Sequence, residues 1–275
     1  ISDEPLTKDF TKTFTFKANT GNIATLLWLR QNNTMVLSLA NNHINNAWWE
    51  WLMTTKNVLD AHNFYHVWAG ITTEEAKTIL TLKHNNITRC ISAYSFDGNW
   101  WTYWWKPLYR NKVSLSGMLN DLTIMKNTTA CDLKAMILHR GREYSMKPNH
   151  EQITQAHSLI DNWLDILIWW HAHVPWRIEQ YKWKYIFYSL GNALFDQDRW
   201  MHSTQAGMDT IYDDVLQRNA VPTYISLFPE LLATKSATWT ILQLQNIHGA
   251  RIEKWIYTPL DTITKNNITH FISSN

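Results

Sequence analysis

Short apolar segments alternate with segments of helical spacing along much of this chain, and this alternation restricts the fold more than any other feature. Residues 34–40 are apolar and end at a polar loop, which predicts a buried strand. Helices are predicted at residues 48–59 and 153–164, and further strands at 87–95, 133–138 and 164–168, with weaker ones at 238–245 and 252–257. Residues 111–126 are the hardest to assign. Strands that alternate with helices predict an α/β fold with a largely parallel or mixed sheet.

The size and charge of the chain narrow its class. At 275 residues the chain is long enough to form one substantial core, so a single domain is predicted. The net charge of +2 offers no electrostatic reason to bind nucleic acid, and neither DNA nor RNA is expected as a partner. No signal-peptide pattern and no apolar run long enough to span a bilayer is visible. Because the chain begins with Ile1, we expect a fragment or processed form, whose leader or anchor could lie upstream.

The two cysteines favour no particular compartment. Cys90 and Cys131 lie in separate apolar segments and show no CxxC spacing. Buried free thiols are therefore predicted in preference to a disulfide or a zinc site.

Polar clusters follow three of the predicted strands. Asn42 and His43 follow the first, His139 follows the strand at 133–138, and His171 and His173 follow the strand at 164–168. Ligands of open α/β sheets bind beyond the carboxyl ends of the strands, so these imidazoles are expected to converge on one site. Neutral imidazole is a ligand for zinc, iron or manganese. A single histidine after a strand is more commonly a hydrogen-bonding loop residue, and the metal-site hypothesis depends on all three clusters together.

Four sequence blocks resemble one known family. They are VLSLANNH at residues 36–43, LHRGREY at 138–144, HAHV at 171–174 and YIFYSLGNALFDQ at 185–197. In order and spacing they resemble the CapA-type capsule-synthesis proteins, a branch of the calcineurin-like metallophosphatases, over residues 13–200. The resemblance implies an α/β fold of two packed β-sheets flanked by helices. It also implies that residues 1–275 form one domain truncated at its N-terminus, with 201–275 as its C-terminal part.

The same resemblance implies roles for individual residues. The metal ligands would be Asn42, His139, His171 and His173, and His43 would approach the substrate as a general acid. Contacts with substrate, or support for the ligands, would come from Glu143, Asn192 and Asp196. Two divalent ions of the Mn, Fe or Zn class are expected. The family takes its carboxylate ligands from earlier strands, and no such motif is visible in this chain.

The function implied by the resemblance is capsule or poly-γ-glutamate biosynthesis or export by a dinuclear metal-dependent hydrolase. Its substrate would be an anionic polymer or a phosphoester, and its partners other capsule-synthesis membrane proteins. The location would be the cell surface or the extracytoplasmic side of the membrane. Two alternatives stay open: a non-catalytic assembly component of polymer synthesis, and a tryptophan-rich carbohydrate-binding module.

Tryptophan and glycine are present in unusual proportion. The chain has 17 Trp and 8 Gly, whereas average usage would give roughly 19 Gly. Tryptophan stands where the resembled family has glycine at Trp48, Trp51, Trp68, Trp163, Trp169 and Trp183. An indole is expected to clash at a site that needs positive φ or a close backbone approach. We hypothesise that UGA codons are rendered Trp where the host reads Gly, which the nucleotide sequence decides. The alternative is a sugar-stacking surface, centred on residues 100–105.

Overall fold

The computed structural model describes residues 23–42, 48–67, 69–70, 72–96, 109–110, 113–127, 131–143, 145, 147–192, 225–236, 239–253 and 256–260. The helices are α1 (Ile23–Arg30), α2 (Trp48–Ala61), α3 (Thr73–Ala76), α4 (Leu115–Asn127) and α5 (His150–Asp161). The first strands are β1 (Val36–Ser38), β2 (Tyr65–Val67), β3 (Ala69–Gly70), β4 (Leu80–His84), β5 (Ile87–Ser95), β6 (Tyr109–Arg110) and β7 (Leu133–His139). The later strands are β8 (Ile166–Trp170), β9 (Ile178–Tyr181), β10 (Lys184–Phe187), β11 (Ile225–Lys235), β12 (Thr240–Glu253) and β13 (Ile256–Pro259). Within these residues, no helix has the length and apolar character needed to cross a membrane.

A six-stranded mixed sheet forms the centre of the fold. Its order is β4-β5-β7-β8-β10-β9. The four inner strands are parallel to one another, and the edge strands β4 and β9 run antiparallel to their neighbours. The inner strands therefore all end at the same edge of the sheet.

The two faces of this sheet carry different layers, because successive side chains of a strand point to opposite faces. On β7, Met136 and Leu138 pack with buried residues of α4 and α5. Leu133 and Ala135 pack with buried residues of β11 and β12, which belong to an antiparallel sheet of order β11-β12-β13. The predicted α/β fold with two packed sheets and flanking helices is thus confirmed within the described residues.

The prediction of free thiols was wrong, because Cys90 and Cys131 form a disulfide. Cys90 lies on β5, and Cys131 lies just before β7, the parallel neighbour of β5. The N–H of Asp132 donates to the carbonyl of Thr88 at 2.9 Å, which holds the entry to β7 beside β5. The two Cα atoms lie 5.8 Å apart, within the range that a disulfide spans. A separation of 41 residues along the chain conceals this proximity.

Two of the anomalous tryptophans occupy backbone positions that favour glycine. Trp163 has φ +80° and follows α5. The N–H of Trp163 donates to the Ile160 carbonyl and that of Leu164 to the Leu159 carbonyl, both at 3.1 Å. These are the two bonds of a Schellman motif, in which the residue at the position of Trp163 is most commonly glycine.

Trp183 lies in the two-residue turn between β9 and β10. Lys184 pairs with Tyr181, so Lys182 and Trp183 form the loop, with φ values of +48° and +64°. Positive φ at both central residues defines a type I′ turn, which prefers Asn-Gly. The turn between β4 and β5 has the same form with Asn85 and Asn86, at φ +48° and +61°. Asparagine tolerates this conformation, whereas tryptophan does not do so readily.

Trp183→Gly is expected to stabilise the protein. The left-handed conformation costs an L-residue roughly 1–2 kcal/mol, and glycine loses about 0.4–1 kcal/mol in unfolded-state entropy, so a net gain of about 1 kcal/mol is expected. The indole is 82% exposed, so little packing is lost. Denaturant unfolding would measure the difference. Asn86→Gly in the equivalent turn is the control and should change stability by less; an equal gain in both variants would show that the indole carries no special strain.

The other tryptophans at family glycine positions do not follow one pattern. Trp169 is fully buried on β8, and its Nε1 donates to the Arg140 carbonyl at 2.6 Å. The core therefore accommodates an indole here, and the expected clash is absent at this position. Trp68 and the Trp-rich segment 100–105 lie outside the described residues, as do the side chains of Trp48 and Trp51.

Candidate metal centre

The carboxyl ends of neighbouring strands bring the predicted ligands together. His139 is the last residue of β7, and it pairs with Trp170, the last residue of β8. His171 follows Trp170 directly, so the register of these two parallel strands places it beside His139. Asn42 follows β1 by a few residues and is buried.

Asn42, His139 and His171 form a chain of contacts. Nε2 of His139 lies 3.1 Å from Oδ1 of Asn42. The same Nε2 lies 3.1 Å from Nδ1 of His171. The amide oxygen can only accept, so Nε2 of His139 carries the proton whenever it bonds to Asn42. When Nε2 of His139 is deprotonated, its lone pair faces Oδ1 of Asn42 and Nδ1 of His171.

The other side of His171 faces a carboxylate. Oε1 of Glu143 lies 3.7 Å from Nε2 of His171 and 4.0 Å from Nε2 of His173. One ligand atom from each of these three residues lies within 4.8 Å of the other two. His171 therefore belongs to two adjacent groups: Asn42 and His139 on its Nδ1 side, and Glu143 and His173 on its Nε2 side.

Asn192 sets the orientation of His173. Nδ1 of His173 donates to Oδ1 of Asn192 at 2.8 Å, so Nε2 keeps its lone pair toward Glu143. Burial lowers the pKa of His173, and the hydrogen bond to Asn192 opposes this in part. Burial also raises the pKa of Glu143. A neutral His173 at pH 7 has the protonation state that a metal ligand requires.

The backbone of the HAH segment is unusual at both histidines. His171 has φ +106° and His173 has φ +62°. Residues in such conformations cost roughly 1–3 kcal/mol each and cluster at functional sites. The ring of Phe96 contacts that of His171 edge-on at a centroid distance of 4.9 Å and is stacked 6.4 Å from that of His139. This aromatic ring therefore lies against the imidazole of His171 on one side of the site.

The donor set fits a divalent metal ion. The candidate ligands are two or three imidazoles, an amide oxygen and a carboxylate. Zn, Fe and Mn sites in proteins use ligands of these kinds. His171 is 8% exposed and Asn42 is 7% exposed, so their polar atoms are directed into the site and not toward bulk water. The hydrogen bond from His173 to Asn192 is the kind of outer contact that metal-bound histidines make.

The structure brings together most of the predicted site residues. Asn42, His139, His171 and His173 lie in the two groups, Glu143 faces His171 and His173, and Asn192 holds His173. His43 and Asp196 lie outside the described residues, and their roles stay predictions. Sequence reasoning missed Phe96, which follows β5. Phe96 directly follows an apolar strand, as the polar clusters of the other strands do. This position could have marked it as a residue of the site.

Comparison with known proteins places these residues in a family. A family model described as "Bacterial capsule synthesis protein PGA_cap" matches residues 2–197, more than half of the chain. The chain belongs to this family. The resemblance to CapA-type capsule-synthesis proteins is thereby confirmed, and the PGA_cap match includes every residue of both ligand groups.

Two curated relatives extend the comparison. The "PGA biosynthesis protein CapA" of Bacillus subtilis (strain 168) is 29% identical over 176 residues, which cover 62% of this chain and 44% of that protein. The "Capsule biosynthesis protein CapA" of Bacillus anthracis is 42% identical over 66 residues, which cover 24% of this chain and 16% of that protein. The chain thus spans less than half the length of the curated relatives it matches. Among solved structures, a candidate 5′-nucleotidase from Staphylococcus aureus aligns with a TM-score of 0.48 at 10% identity, covering 91% of this chain and 44% of that chain.

Proposed function

We propose that this PGA_cap protein is a metal-dependent hydrolase of capsule biosynthesis that cleaves a phosphoester or a bond of the capsule polymer. The observation that carries the proposal is the convergence of His171, His173 and Glu143, with ligand atoms within 4.8 Å of one another. His139 and Asn42 extend this group on the other side of His171. The two-sheet fold with its site at strand ends agrees with the metallophosphatase resemblance of the sequence.

Each residue of the candidate centre has a proposed role. His171, His173 and Glu143 would hold one ion, and Asn42 and His139 would contribute ligands to a second. A bound divalent ion supplies Lewis acidity and lowers the pKa of a water ligand. Asn192 holds His173 in the neutral tautomer whose Nε2 faces the site. Phe96 lies against the imidazole of His171 and supplies an apolar side to the site. His43 is the proposed general acid.

The proposed substrate and location draw on the family. An anionic capsule polymer such as poly-γ-glutamate, or a phosphoester, is the proposed substrate, and membrane proteins of capsule synthesis are the proposed partners. We place the protein at the cell surface or on the extracytoplasmic side of the membrane. The Cys90–Cys131 disulfide supports this location, because disulfides persist in oxidising compartments and are rare in the cytosol.

Hydrolysis by the metal-loaded protein tests the proposal. Protein stripped with EDTA and reloaded with Mn²⁺, Fe²⁺ or Zn²⁺ should cleave bis(p-nitrophenyl) phosphate or shorten poly-γ-glutamate chains. Glu143→Gln should lower the rate by at least about tenfold, because it removes the carboxylate that faces both histidines. Glu74→Gln, an exposed site on α3, is the matched control. Absence of hydrolysis with every metal and both substrates would rule out the enzyme.

One observation favours a second candidate, a non-catalytic assembly component that keeps a single ion. Within the described residues, the metal-type group contains one carboxylate, that of Glu143, whereas a two-ion centre commonly has bridging carboxylates. One metal ion per chain without hydrolysis would support this candidate. The carbohydrate-binding alternative rests, within the described residues, on Trp163 and Trp239, two exposed tryptophans that line one cavity, and glycan binding by the isolated chain would test it.

A further inference from the structure

A cavity of about 540 Å³ lies at the opposite edge of the central sheet from the histidines. Lys134, Asp165 and Lys184 line it at the starts of β7, β8 and β10, whereas His139 ends β7. At roughly 3.3 Å per residue, the five-residue step from Lys134 to His139 separates the two edges by roughly 17 Å. The cavity is therefore distinct from the metal-type groups.

Lysines from five positions converge on this cavity. They are Lys126 in the last turn of α4, Lys134 on β7, Lys182 in the β9–β10 turn, Lys184 on β10 and Lys235 at the end of β11. Three aspartates also line it: Asp132, Asp161 and Asp165. Among the described lining residues, positive charge thus exceeds negative charge by two.

Two of the aspartates are each matched by one lysine. Nζ of Lys182 lies 2.6 Å from Asp161, and Nζ of Lys235 lies 2.7 Å from Asp132. The charges within each pair cancel. Both pairs are partly exposed to water, where an ion pair contributes little to stability. Each lysine can therefore turn toward an incoming anion.

The surplus charge comes from the remaining lysines. Asp165 pairs with Lys184 and lies 3.7 Å from Nζ of Lys134, so a single carboxylate faces two ammonium groups. Lys126 stands over the ring of Trp163 at 4.3 Å, and no carboxylate of the described residues forms an ion pair with it. The volume lies within the range of about 300–1,000 Å³ typical of small-ligand sites.

We propose that this cavity binds a ligand with two closely spaced negative charges, either phosphate groups or neighbouring carboxylates. Lysine ammonium groups bind both kinds of anion as point charges. Because the lysines come from segments that the sheet and the Cys90–Cys131 disulfide hold in place, the site is formed before the ligand arrives. The proposal is independent of metal binding at the other edge.

Calorimetric titration of the full chain tests this site with two probes, inorganic pyrophosphate and a tri-glutamate peptide. The protein is first stripped with EDTA, because a metal ion at the histidines would itself bind phosphate, and the EDTA is then dialysed away into metal-free buffer, because it is itself a polycarboxylate. Lys126→Gln/Lys184→Gln removes the two surplus charges and should weaken binding at least tenfold. Lys77→Gln/Lys83→Gln makes the same charge change at exposed lysines outside the cavity and should leave the affinity within about twofold.

A third variant distinguishes loss of the site from a folding defect in the Lys126→Gln/Lys184→Gln variant. Asp161→Asn releases Lys182 from its partner and should tighten binding severalfold. Binding of either probe with these three responses supports the site, and the probe that binds identifies the anion. The proposal is overturned if neither probe binds the unaltered chain, or if the cavity and control double variants lose affinity equally.

Discussion

Replacing His171 by alanine is expected to lower the affinity for Mn²⁺ or Zn²⁺ by about 100-fold or more. Loss of a residue that only supports a ligand typically costs 10–100-fold, and His171 is placed to be a ligand itself. Its Nδ1 lies 3.1 Å from His139, and its Nε2 lies 3.7 Å from Glu143. A neutral imidazole has one lone pair, so alanine removes a ligand from one group and the adjoining imidazole contact from the other. Calorimetric titration of EDTA-stripped protein measures the affinity and the number of ions bound.

The matched control is His248→Ala. His248 is an exposed histidine on β12 that pairs with Glu230 at 3.2 Å and belongs to neither of the two groups around His171. This variant should bind metal as the unaltered chain does. Circular dichroism of both variants would verify that the fold is retained. Equal metal affinity in the His171 and His248 variants would show that the imidazole cluster is a hydrogen-bonded core feature without a metal role.

Much of the central sheet follows from local sequence patterns. The strand predicted at residues 87–95 coincides with β5, and those predicted at 133–138 and 164–168 lie within two residues of β7 and β8. The helix α4 falls in the region that was hardest to assign. Its buried residues Met118, Leu122 and Met125 do have helical spacing, but the preceding Trp-rich stretch obscured where the helix begins. Strand β1 proved shorter and less buried than predicted, because its partner within the described residues is only the short β2.

The site was predictable in position but not in detail. Placing His139 and His171 at strand ends required only the apolar pattern, whereas their 3.1 Å contact depends on the pairing of β7 with β8. The positive φ of His171 and His173 also has no signal in the sequence. Glu143 lies on the loop after β7, and only the folded path of that loop directs it toward two histidines.

The disulfide is the clearest case of a contact that local sequence cannot predict. Two cysteines alone give one candidate pair, and whether they meet depends on which strands are neighbours. Here the parallel pairing of β5 with β7 brings them together in the core between the sheet and α4. Cys90 is fully buried, whereas Cys131 is 9% exposed and lines the cavity at the starts of β7, β8 and β10.

Removing this disulfide is expected to lower the free energy of unfolding by about 4 kcal/mol. The bond closes a loop of 41 residues, and the entropy that it removes from the unfolded chain corresponds to about that amount at 25 °C. A natural domain has only about 5–15 kcal/mol in total, so this loss is a large fraction of the stability. Denaturant unfolding of the unaltered chain and of Cys90→Ala/Cys131→Ala, each with and without reductant, measures the loss. The reductant should destabilise the unaltered chain and leave the double variant unchanged. Free thiols in the unfolded, unreduced chain, or a difference below about 1 kcal/mol, would contradict a stabilising disulfide.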